Sequence, residues 1–479
     1  MASAPRSQYR LSKTSYMQFL ICPNEFWLSV HQPLLMAQAE TLEYAHRRQE
    51  GYEVERYAKL LSRFADNEEY TVDFQRTFQT ADLAARSDVV VTDKATGIID
   101  IYEIKASSKV KDEHYDDLAF QKVTAMRSGA TVGSTFVITL NSDYVRNGEI
   151  DADELFTITE VTETVDAKLA GTEATIEAAF NYLKTEPRAA LDEYCKANGL
   201  DCRFIQLNFP DLPERTIFEL YTLKHDKRRE LLREGIVDIR DIPDEYKLSD
   251  KQRAHVNLAK INEPKIEAEA IREKLDSWEY PLHFLDYETF AYAVPQFDGI
   301  KPFQQMVFQY SLHTIDAPGA EMTHSEYLSR GDDALSRSVA ESLREAMSGG
   351  IGTVLVWYES FEKGRNDEMA AMFPDLADFF NEVNAKTYDL MKIFSENLYI
   401  HPEFKGRNSI KKVMPVLVPT LDYTALGISD GLAATIKWFH AAKRNLPDAE
   451  RETIFQDLLE YCTLDTMAMV RIYDVLRKL

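Results

Sequence analysis

The chain has 479 residues, 45% of them hydrophobic and 28% charged, and its 79 acidic residues outnumber its 55 basic ones for a net charge of −24. This composition excludes a disordered chain and a uniformly basic nucleic-acid-binding surface, and it makes an anionic membrane a poor partner. No apolar run approaches the roughly 18 residues of a membrane helix, and the N-terminus lacks the apolar region of a signal peptide. Four cysteines in so long a chain do not form a disulfide scaffold, so we expect a cytoplasmic protein.

The N-terminal part of the chain is predicted to alternate between helices and strands. Residues 11–29 and 40–61 carry apolar side chains at helical spacing, and Pro23 interrupts the first of these segments. Short runs rich in β-branched residues predict strands at 70–80, 87–92 and 98–105, followed by a helix at 117–127 and a strand at 133–140. This order is typical of a mixed α/β unit.

Asp88, Glu103 and Lys105 form the first candidate catalytic group. Asp88 opens an apolar run, and a turn leads to a second predicted strand that carries Glu103 and Lys105 two residues apart, hence on one face. If the two strands pair as a hairpin, Asp88 meets Glu103, and two carboxylates can bind Mg²⁺ through their oxygens. The lysine can then position the attacking water. The alternative is a half-exposed strand with a surface salt bridge.

The wider N-terminal sequence resembles Cas4-like and RecB-like nucleases of the PD-(D/E)xK type over residues 8–210. The segments that carry this resemblance are Leu11–Thr14, Cys22–Leu28, Asp88, Glu103–Lys105 and Asp117–Gln121. The resemblance implies a restriction-endonuclease-like α/β core that cuts DNA with Mg²⁺ or Mn²⁺.

Within this family the same resemblance assigns roles to individual residues. It makes both carboxylates metal ligands, Lys105 the catalytic lysine and Gln121 the helix residue near the scissile strand. The tyrosine that often follows this glutamine by four residues is replaced by Ala125. Glu53 is the nearest candidate for the early helical ligand of the family.

The cysteines bear on the same resemblance, because many relatives bind an iron–sulfur cluster through one N-terminal cysteine and three near the end of the domain. Cys22 matches the first of these, and Cys195 and Cys202 match the next two. Asn208 stands where the fourth is expected, and Cys462 is far away in the sequence. Three of four ligands leave two alternatives, an intact cluster or a degenerate one, and the degenerate one is favoured.

Residues 165–275 are predicted to be mostly helical and charged, and residues 211–278 are expected to be a helical connector. A basic cluster lies in this region and consists of Lys224, Lys227, Arg228, Arg229 and Arg233. It is interpreted either as a solvated helix face or as a surface that contacts phosphates.

A second α/β unit is predicted to begin near Pro281, with strands at 283–287, 305–313, 353–358 and 385–389 and a final helix at 453–479. Asp286 and Glu288 lie on one face at the end of its first strand, a pattern that suits two metal ions. Near the C-terminus Tyr461 and Asp465 are four residues apart, hence one helical turn apart on one face.

These motifs resemble DEDD-type 3′–5′ exonucleases of the ribonuclease-H-like fold. The resemblance makes Asp286, Glu288, Glu362 and Asp465 metal ligands, and it makes Tyr461 the residue that orients the attacking water. The second motif departs from the family pattern, because Glu362 replaces an aspartate. Asp389 resembles a supporting strand residue of these enzymes. The whole block 279–479 further resembles the family DUF2779, found fused behind Cas4-like nucleases.

The expected architecture is therefore α/β throughout, with a restriction-endonuclease-like domain at 8–210, a helical connector at 211–278 and a ribonuclease-H-like exonuclease-type domain at 279–479. The expected function is a divalent-metal-dependent nuclease with two sites, acting on nucleic acid and most directly on single-stranded or terminal DNA. Implied settings are phage defence, CRISPR-associated processing and DNA repair. Two alternatives remain: one domain is catalytically degenerate and binds nucleic acid, or the chain is an adaptor between defence proteins.

Overall fold

The computed structural model describes residues 9–36, 42–65, 67–185, 190–193, 203–331, 335–421, 427–428, 430–443 and 446–479. These residues form helices and mixed β-sheets, so the predicted α/β class is confirmed. The chain divides into two compact units. The first consists of Met1–Pro210 and Ala291–Gln304, and the second of Asp211–Phe290 and Gln305–Leu479. No helix in the described ranges is long and apolar enough to cross a membrane.

The first unit is built around one sheet with helices packed against it. Its helices are α1 (Lys13–Ile21), α2 (Pro23–His31), α3 (Pro33–Met36), α4 (Leu42–Ala58), α5 (Asp112–Arg127), α6 (Ala152–Leu155), α7 (Thr162–Leu183) and α8 (Arg203–Asn208). Its strands are β1 (Leu11–Ser12), β2 (Tyr70–Gln79), β3 (Leu83–Asp93), β4 (Ile99–Ile104), β5 (Val132–Leu140) and β6 (Phe156–Glu160). The strand order is β1-β3-β4-β5-β6, and β2 also pairs with β3.

The N-terminal helical segment is divided where the sequence indicates. Ser12 caps α1, its hydroxyl accepting a hydrogen bond from the backbone N–H of Ser15, as serine does at helix starts. Pro23 begins α2 rather than simply ending α1, because the first turn of a helix needs no N–H from its first residue. Cys22 is the cap between them, and its sulfur accepts a hydrogen bond from the N–H of Glu25.

Alternation along β4 decides which side chains reach the helices of the first unit. Ile99 and Ile101 pack in one core with Leu118 of α5, whereas Tyr102 packs in the opposite core with Val54 of α4. Glu103 follows the phase of the isoleucines, so it faces α5. The pairing of β3 with β4 is antiparallel, as the predicted hairpin requires.

The second unit contains a mixed sheet and the remaining helices. These helices are α9 (His225–Arg233), α10 (Asp250–Ile261), α11 (Ala268–Asp276), α12 (Ser336–Ala346), α13 (Glu359–Met372), α14 (Ala377–Lys386), α15 (Lys392–Ser395), α16 (Ile410–Leu417), α17 (Gly431–Lys443) and α18 (Asp448–Leu476). The strands are β7 (Lys265–Ile266), β8 (Leu282–Phe290), β9 (Met306–Ile315), β10 (Thr323–Leu328), β11 (Val354–Val356), β12 (Thr387–Asp389) and β13 (Tyr399–Ile400). Residues 211–278, predicted as a connector, group with this unit.

The main sheet of the second unit has the order β10-β9-β8-β11-β12. β9 pairs antiparallel with β8 and β10, while β11 runs parallel to both β8 and β12. Leu282 and Phe284 of β8 pack in a core with Met469 of α18, and Leu285 packs in the opposite core with Val339 of α12. The β8 positions that continue the phase of Phe284 therefore face α18.

Polar side chains of β9 fix α18 on this sheet. Gln309 donates from Nε2 to the backbone carbonyl of Leu458 at 2.8 Å. The Thr466 hydroxyl lies 2.7 Å from the Ser311 hydroxyl and 2.8 Å from Nδ1 of His313. All of these side chains are buried, so the network defines the register of α18 against the sheet.

His313 in this network is expected to make the stability of the second unit depend on pH in the acidic range. Burial, with the nearby charges of His324 and Arg471, lowers the pKa of His313 to about 4. Its pKa in the unfolded chain is near 6.5, so the unfolded state gains a proton that the folded state lacks, and stability falls as pH drops from about 6.5 to about 4. We expect His313→Gln to reduce this acid-dependent loss by about 2 kcal/mol between pH 7 and pH 4.5, as measured by urea unfolding. Equal losses in both proteins would contradict this expectation.

Candidate functional site

The β3–β4 hairpin of the first unit brings Asp88 and Glu103 together. Val89 is paired with Tyr102, so the two acids occupy the next position along the ladder. Asp88 accepts a hydrogen bond from the backbone N–H of Ile104 at 2.8 Å through Oδ2. The structure therefore places these predicted residues side by side, as the hairpin interpretation required.

Glu103 lies at the centre of a closed polar network and is only 2% exposed. Its Oε1 accepts hydrogen bonds from the ammonium groups of Lys105 and Lys13, each at 2.8 Å. Its Oε2 accepts a hydrogen bond from Nε2 of Gln121 at 2.6 Å. Asp117 closes the network, lying 2.6 Å from the Lys105 ammonium, 3.2 Å from that of Lys13 and 2.9 Å from Nε2 of Gln121.

Lys13 and Asp117 are site residues that sequence reasoning quoted within motifs without assigning them a role. A weak signal existed for Asp117, because it stands four residues before Gln121 and hence on the same face of α5. Lys13 had no such signal, because it lies 90 residues from Glu103 and meets it through the packing of α1 alone.

The charges of this network set its protonation states. Burial alone would raise the pKa of Glu103, but Lys105 and Lys13 outweigh burial and lower it. Burial and the neighbouring charge of Glu103 raise the pKa of Asp88 to about 7. The same two causes raise the pKa of Asp117. At neutral pH the carboxylate of Glu103 is therefore ionised, whereas the carboxyl group of Asp88 titrates close to neutral pH.

Gln75 joins the site from β2, and its backbone has a conformation that few residues other than glycine adopt. Its φ is 57°, and it lies between the paired residues of β2 and β3, opposite Asp88. Nε2 of Gln75 donates to Oε1 of Glu55 at 2.7 Å and to Oδ1 of Asp88 at 3.2 Å. Glu53, the predicted early helical ligand, lies instead 3.6 Å from Arg56, so Glu55 is the α4 acid connected to this site.

Of the three cysteines predicted to bind a cluster, Cys22 lies among the described residues. Cys22 is buried at the start of α2 and is not in a disulfide. Cys195 and Cys202 lie outside the described residues, so the arrangement of the three predicted cluster ligands stays a prediction. Asn208, which stands at the expected fourth position, donates from its side chain to the carbonyl of Phe204 at 2.9 Å.

A second group of acids lies at one end of β8 in the second unit. Asp286 and Glu288 project from alternate positions of this strand toward α18. Ligand atoms of Asp286, Glu288 and Cys462 all lie within 4.8 Å of one another. The sulfur of Cys462 is 3.7 Å from Oδ2 of Asp286. Cys462 was not predicted as a residue of this site, although it stands directly between Tyr461 and the rest of the last motif.

Glu362 and Asp465 complete this group from α13 and α18. Both are buried and electrostatically coupled to Asp286. Glu362 is 2% exposed, and its Oε2 has no hydrogen-bond partner among the described residues. A buried carboxylate oxygen without a partner is strongly disfavoured, so this atom could bind a cation.

Lys411 and Tyr461 form the polar border of the same group. The ammonium of Lys411, at the start of α16, donates to the Tyr461 hydroxyl at 3.2 Å and lies 5.3 Å from the centre of its ring. The charge of Lys411 also acts on Glu288. The structure thus brings together Tyr461 and the four predicted acids, and it adds Lys411 and Cys462.

Electrostatics in this group differ sharply from those in the first unit. Burial and the charge of Asp465 raise the pKa of Asp286 well above its ordinary value. Burial and the other carboxylates likewise raise the pKa values of Glu288 and Glu362. The acids of this group repel one another with little compensation from lysine, and this is the condition that divalent cations relieve.

Two residues near the second motif have other roles. The carboxylate of Asp389 accepts hydrogen bonds from the backbone N–H groups of Tyr358 at 3.0 Å and Glu359 at 3.2 Å, so it caps the start of α13. The carboxylate of Glu359 lies 2.5 Å from the ammonium of Lys392 and 3.5 Å from that of Lys363. Asp389 therefore supports the site by holding α13, while Glu359 is neutralised outside it.

The basic cluster of α9 is in part committed to local structure. Arg228 donates to the backbone carbonyls of Leu220 and Leu223, and Lys227 donates to that of Lys247. These contacts favour a structural role for the two side chains over free contact with phosphates.

Comparison with known proteins adds a family match in the second unit. Residues 283–409 match the family model described as "Domain of unknown function (DUF2779)". The predicted resemblance to DUF2779 is thereby confirmed over this range. The DUF2779 segment includes Asp286, Glu288 and Glu362 and ends before Tyr461 and Asp465.

Two more distant similarities complete the comparison. The chain is 27% identical over 244 residues to the uncharacterized protein UU173 of Ureaplasma parvum serovar 3, an alignment that covers 47% of this chain and 35% of that protein. The chain thus spans about a third of the length of this curated relative. A solved structure described as "Crystal structure of SSO0001" is 17% identical, covers 42% of this chain and 89% of its own, and has a TM-score of 0.23.

Proposed function

We propose that the protein is a divalent-metal-dependent nuclease whose principal catalytic site is the acid group at the end of β8. The convergence of Asp286, Glu288, Glu362 and Asp465, with one buried oxygen of Glu362 left unpartnered, carries this proposal. The order of these motifs resembles DEDD-type exonucleases, which supports end-directed cleavage of DNA. No other arrangement of described residues in this unit gathers as many buried carboxylates.

The four carboxylates would hold Mg²⁺ or Mn²⁺, since hard cations prefer oxygen ligands. When bound, such a metal polarises a phosphodiester and lowers the pKa of a coordinated water. Tyr461 would orient the attacking water, and its hydroxyl is already positioned by the Lys411 ammonium. Lys411 would in addition draw the phosphate backbone toward the site through its charge.

The first unit supports a second nuclease site of the PD-(D/E)xK type. Asp88 and Glu103 would hold the metal, Lys105 would stabilise negative charge on the phosphate, and Gln121 would fix the orientation of Glu103.

A second candidate function of the first unit has an observation in its favour. Both oxygens of Glu103 are already occupied by lysines and Gln121, which favours a unit that binds nucleic acid without cutting it.

A single nuclease experiment separates these functions. We expect end-labelled single-stranded DNA to be shortened with Mg²⁺ or Mn²⁺ and to stay intact with a chelator, and duplex DNA and RNA serve as comparison substrates. Asp286→Ala is expected to abolish stepwise shortening, and Glu103→Ala is expected to remove only cleavage due to the first unit. Loss of all cleavage in Asp286→Ala with no effect of Glu103→Ala would assign the first unit to binding. No metal-dependent cleavage of any substrate by the wild type would overturn the proposal and favour an adaptor.

A further inference from the structure

Cys462 places a sulfur atom inside a group otherwise made of carboxylates. Cys462 is buried on α18, directly after Tyr461 and three residues before Asp465. Because residues three apart share one face of a helix, Cys462 and Asp465 both lie on the face that meets β8. Its sulfur approaches the backbone carbonyl of Asp286 at 3.8 Å and Oδ2 of Asp286 at 3.7 Å. A sulfur atom is not expected among the ligands of a magnesium site, since Mg²⁺ binds thiolates poorly.

The distances in this group match a different coordination chemistry. In a tetrahedral zinc site, with zinc about 2.3 Å from sulfur and about 2.0 Å from oxygen, those two ligand atoms lie about 3.5 Å apart. The observed 3.7 Å between the Cys462 sulfur and Oδ2 of Asp286 is close to this separation. One carboxylate oxygen of Glu288 lies within 4.8 Å of the Cys462 sulfur and of a carboxylate oxygen of Asp286, which gives three ligands on two elements.

We infer that Cys462 is a metal ligand and that this group binds a thiophilic cation, Zn²⁺ or its analogue Cd²⁺, through Cys462, Asp286 and Glu288. The inference rests on the proposed function in one respect, namely that the carboxylates at the end of β8 bind metal. The unpartnered Oε2 of Glu362 is the independent observation that points to a cation, because Glu362 is buried and interacts electrostatically with Asp286, Glu288 and Cys462.

Binding through Cys462 is a simple acid–base exchange. The S–H bond breaks, the proton passes to solvent, and the thiolate electron pair forms the bond to the metal, so no atom is oxidised or reduced. Because the thiolate adds a negative charge to a group of acids, the ligand set carries more charge than an all-oxygen site with the same carboxylates. Because a thiolate is a soft ligand that Zn²⁺ binds far better than Mg²⁺ does, we expect Zn²⁺ to displace Mg²⁺ from this group rather than the reverse.

The test is a Cd²⁺ titration of the full-length metal-free chain, read by the ultraviolet charge-transfer absorbance that forms only when a thiolate binds Cd²⁺. Because the other cysteines form such bands if they bind metal, the titration uses a triple variant, Cys22→Ser with Cys195→Ser and Cys202→Ser, in which Cys462 is the one remaining thiol. We expect this triple variant to develop the band with one Cd²⁺ per chain. Adding Cys462→Ser is expected to abolish it.

Competition and a carboxylate variant complete the design. Zn²⁺ is expected to remove the Cd²⁺ band at equimolar amounts, and a large excess of Mg²⁺ is expected to leave it. In the triple variant Asp286→Asn is expected to weaken Cd²⁺ binding by about 10-fold to 100-fold, the range seen when partners of metal ligands are removed. Wild type and Cys462→Ser alone are titrated in parallel, so that a folding defect of the triple variant does not decide the result.

The outcomes separate this inference from the proposed nuclease function. A Cys462-dependent band without any nuclease activity would support the sulfur ligand and overturn the proposed function. Metal-dependent cleavage without a Cys462-dependent band would support an all-oxygen nuclease site and overturn the inference. Absence of the band from the triple variant, together with equal bands in wild type and Cys462→Ser, would overturn the inference as well.

Discussion

Glu362→Gln is expected to lower metal-dependent cleavage by the second unit by about 100-fold or more. Partners of metal ligands are themselves worth about 10-fold to 100-fold in activity or metal affinity, and a direct ligand contributes at least as much. Glu362 is buried with one unpartnered oxygen, so replacing it removes a carboxylate that could bind a cation through that oxygen. The measurement is the initial rate of end-label release with saturating Mn²⁺.

The same variant is expected to unfold at a higher temperature than wild type when both are metal-free. Burial and the charges of Asp286 and Glu288 raise the pKa of Glu362, so its ionised form is disfavoured in the folded state. A neutral amide of the same size removes that repulsion. Opposite signs for activity and stability are the signature of a functional residue that strains the fold.

Glu359→Gln is the matched control, because Glu359 lies on the same first turn of α13 and loses the same charge. Its carboxylate pairs with Lys392 and Lys363 outside the acid group. We expect its cleavage rate to stay within about 3-fold of wild type and its stability to change by less than about 1 kcal/mol. Equal loss of cleavage in both variants would assign the effect to the helix rather than to the ligand.

Glu103→Gln is expected to lower the free energy of unfolding by about 3 kcal/mol at pH 7, the lower end of the range for breaking a buried ion pair. The lower end applies because the side chains of Lys13 and Lys105 retain 22% and 24% exposure, so water relieves part of the uncompensated charge. Cleavage due to the first unit is expected to fall about 100-fold or more. Urea unfolding and the residual cleavage of the Asp286→Ala background measure the two effects.

The pH dependence of this stability difference has a definite sign. The lysines hold the pKa of Glu103 below its ordinary value of 4.5, so the stabilisation is complete above that value and is lost as pH falls below it. Glu173→Gln is the control, because Glu173 pairs with Arg127 at the surface with 42% exposure and is expected to cost less than about 1 kcal/mol. A pH-independent difference for Glu103→Gln would contradict this origin.

The sequence was sufficient for those parts of the sites that depend on local periodicity. Alternation along a strand placed Asp286 and Glu288 on one face, and a four-residue step placed Tyr461 and Asp465 on one turn of α18. The hairpin that joins Asp88 to Glu103 was also local, because a single turn separates its two strands.

The remaining site residues depend on long-range packing that no local period encodes. Lys13 reaches Glu103 through the position of α1, and Lys411 reaches Tyr461 through that of α16. Gln75 reaches Asp88 because its backbone leaves the regular strand conformation, which an ordinary strand pattern does not predict. β10 was not predicted from the sequence. Its residues Thr323–Leu328 are largely polar, because this edge strand pairs only with β9.

The pairing of β8 with β9 has a consequence for which substitutions this site tolerates. Asp286 and Glu288 are aligned with Ser311 and Gln309, so neither can shift along the strand without breaking the ladder. Glu362 stands instead in the first turn of α13, which Asp389 holds by a cap rather than by a ladder. The hydroxyl of Tyr287 on β8 donates to Oδ1 of Asn366 on α13 at 2.8 Å, so the helix that carries Glu362 is also fixed against this strand. Strand pairing thus fixes the acids of β8, while a cap and a buried side-chain hydrogen bond fix the acid of α13, so the extra methylene group of Glu362 has to be accommodated by its own side chain.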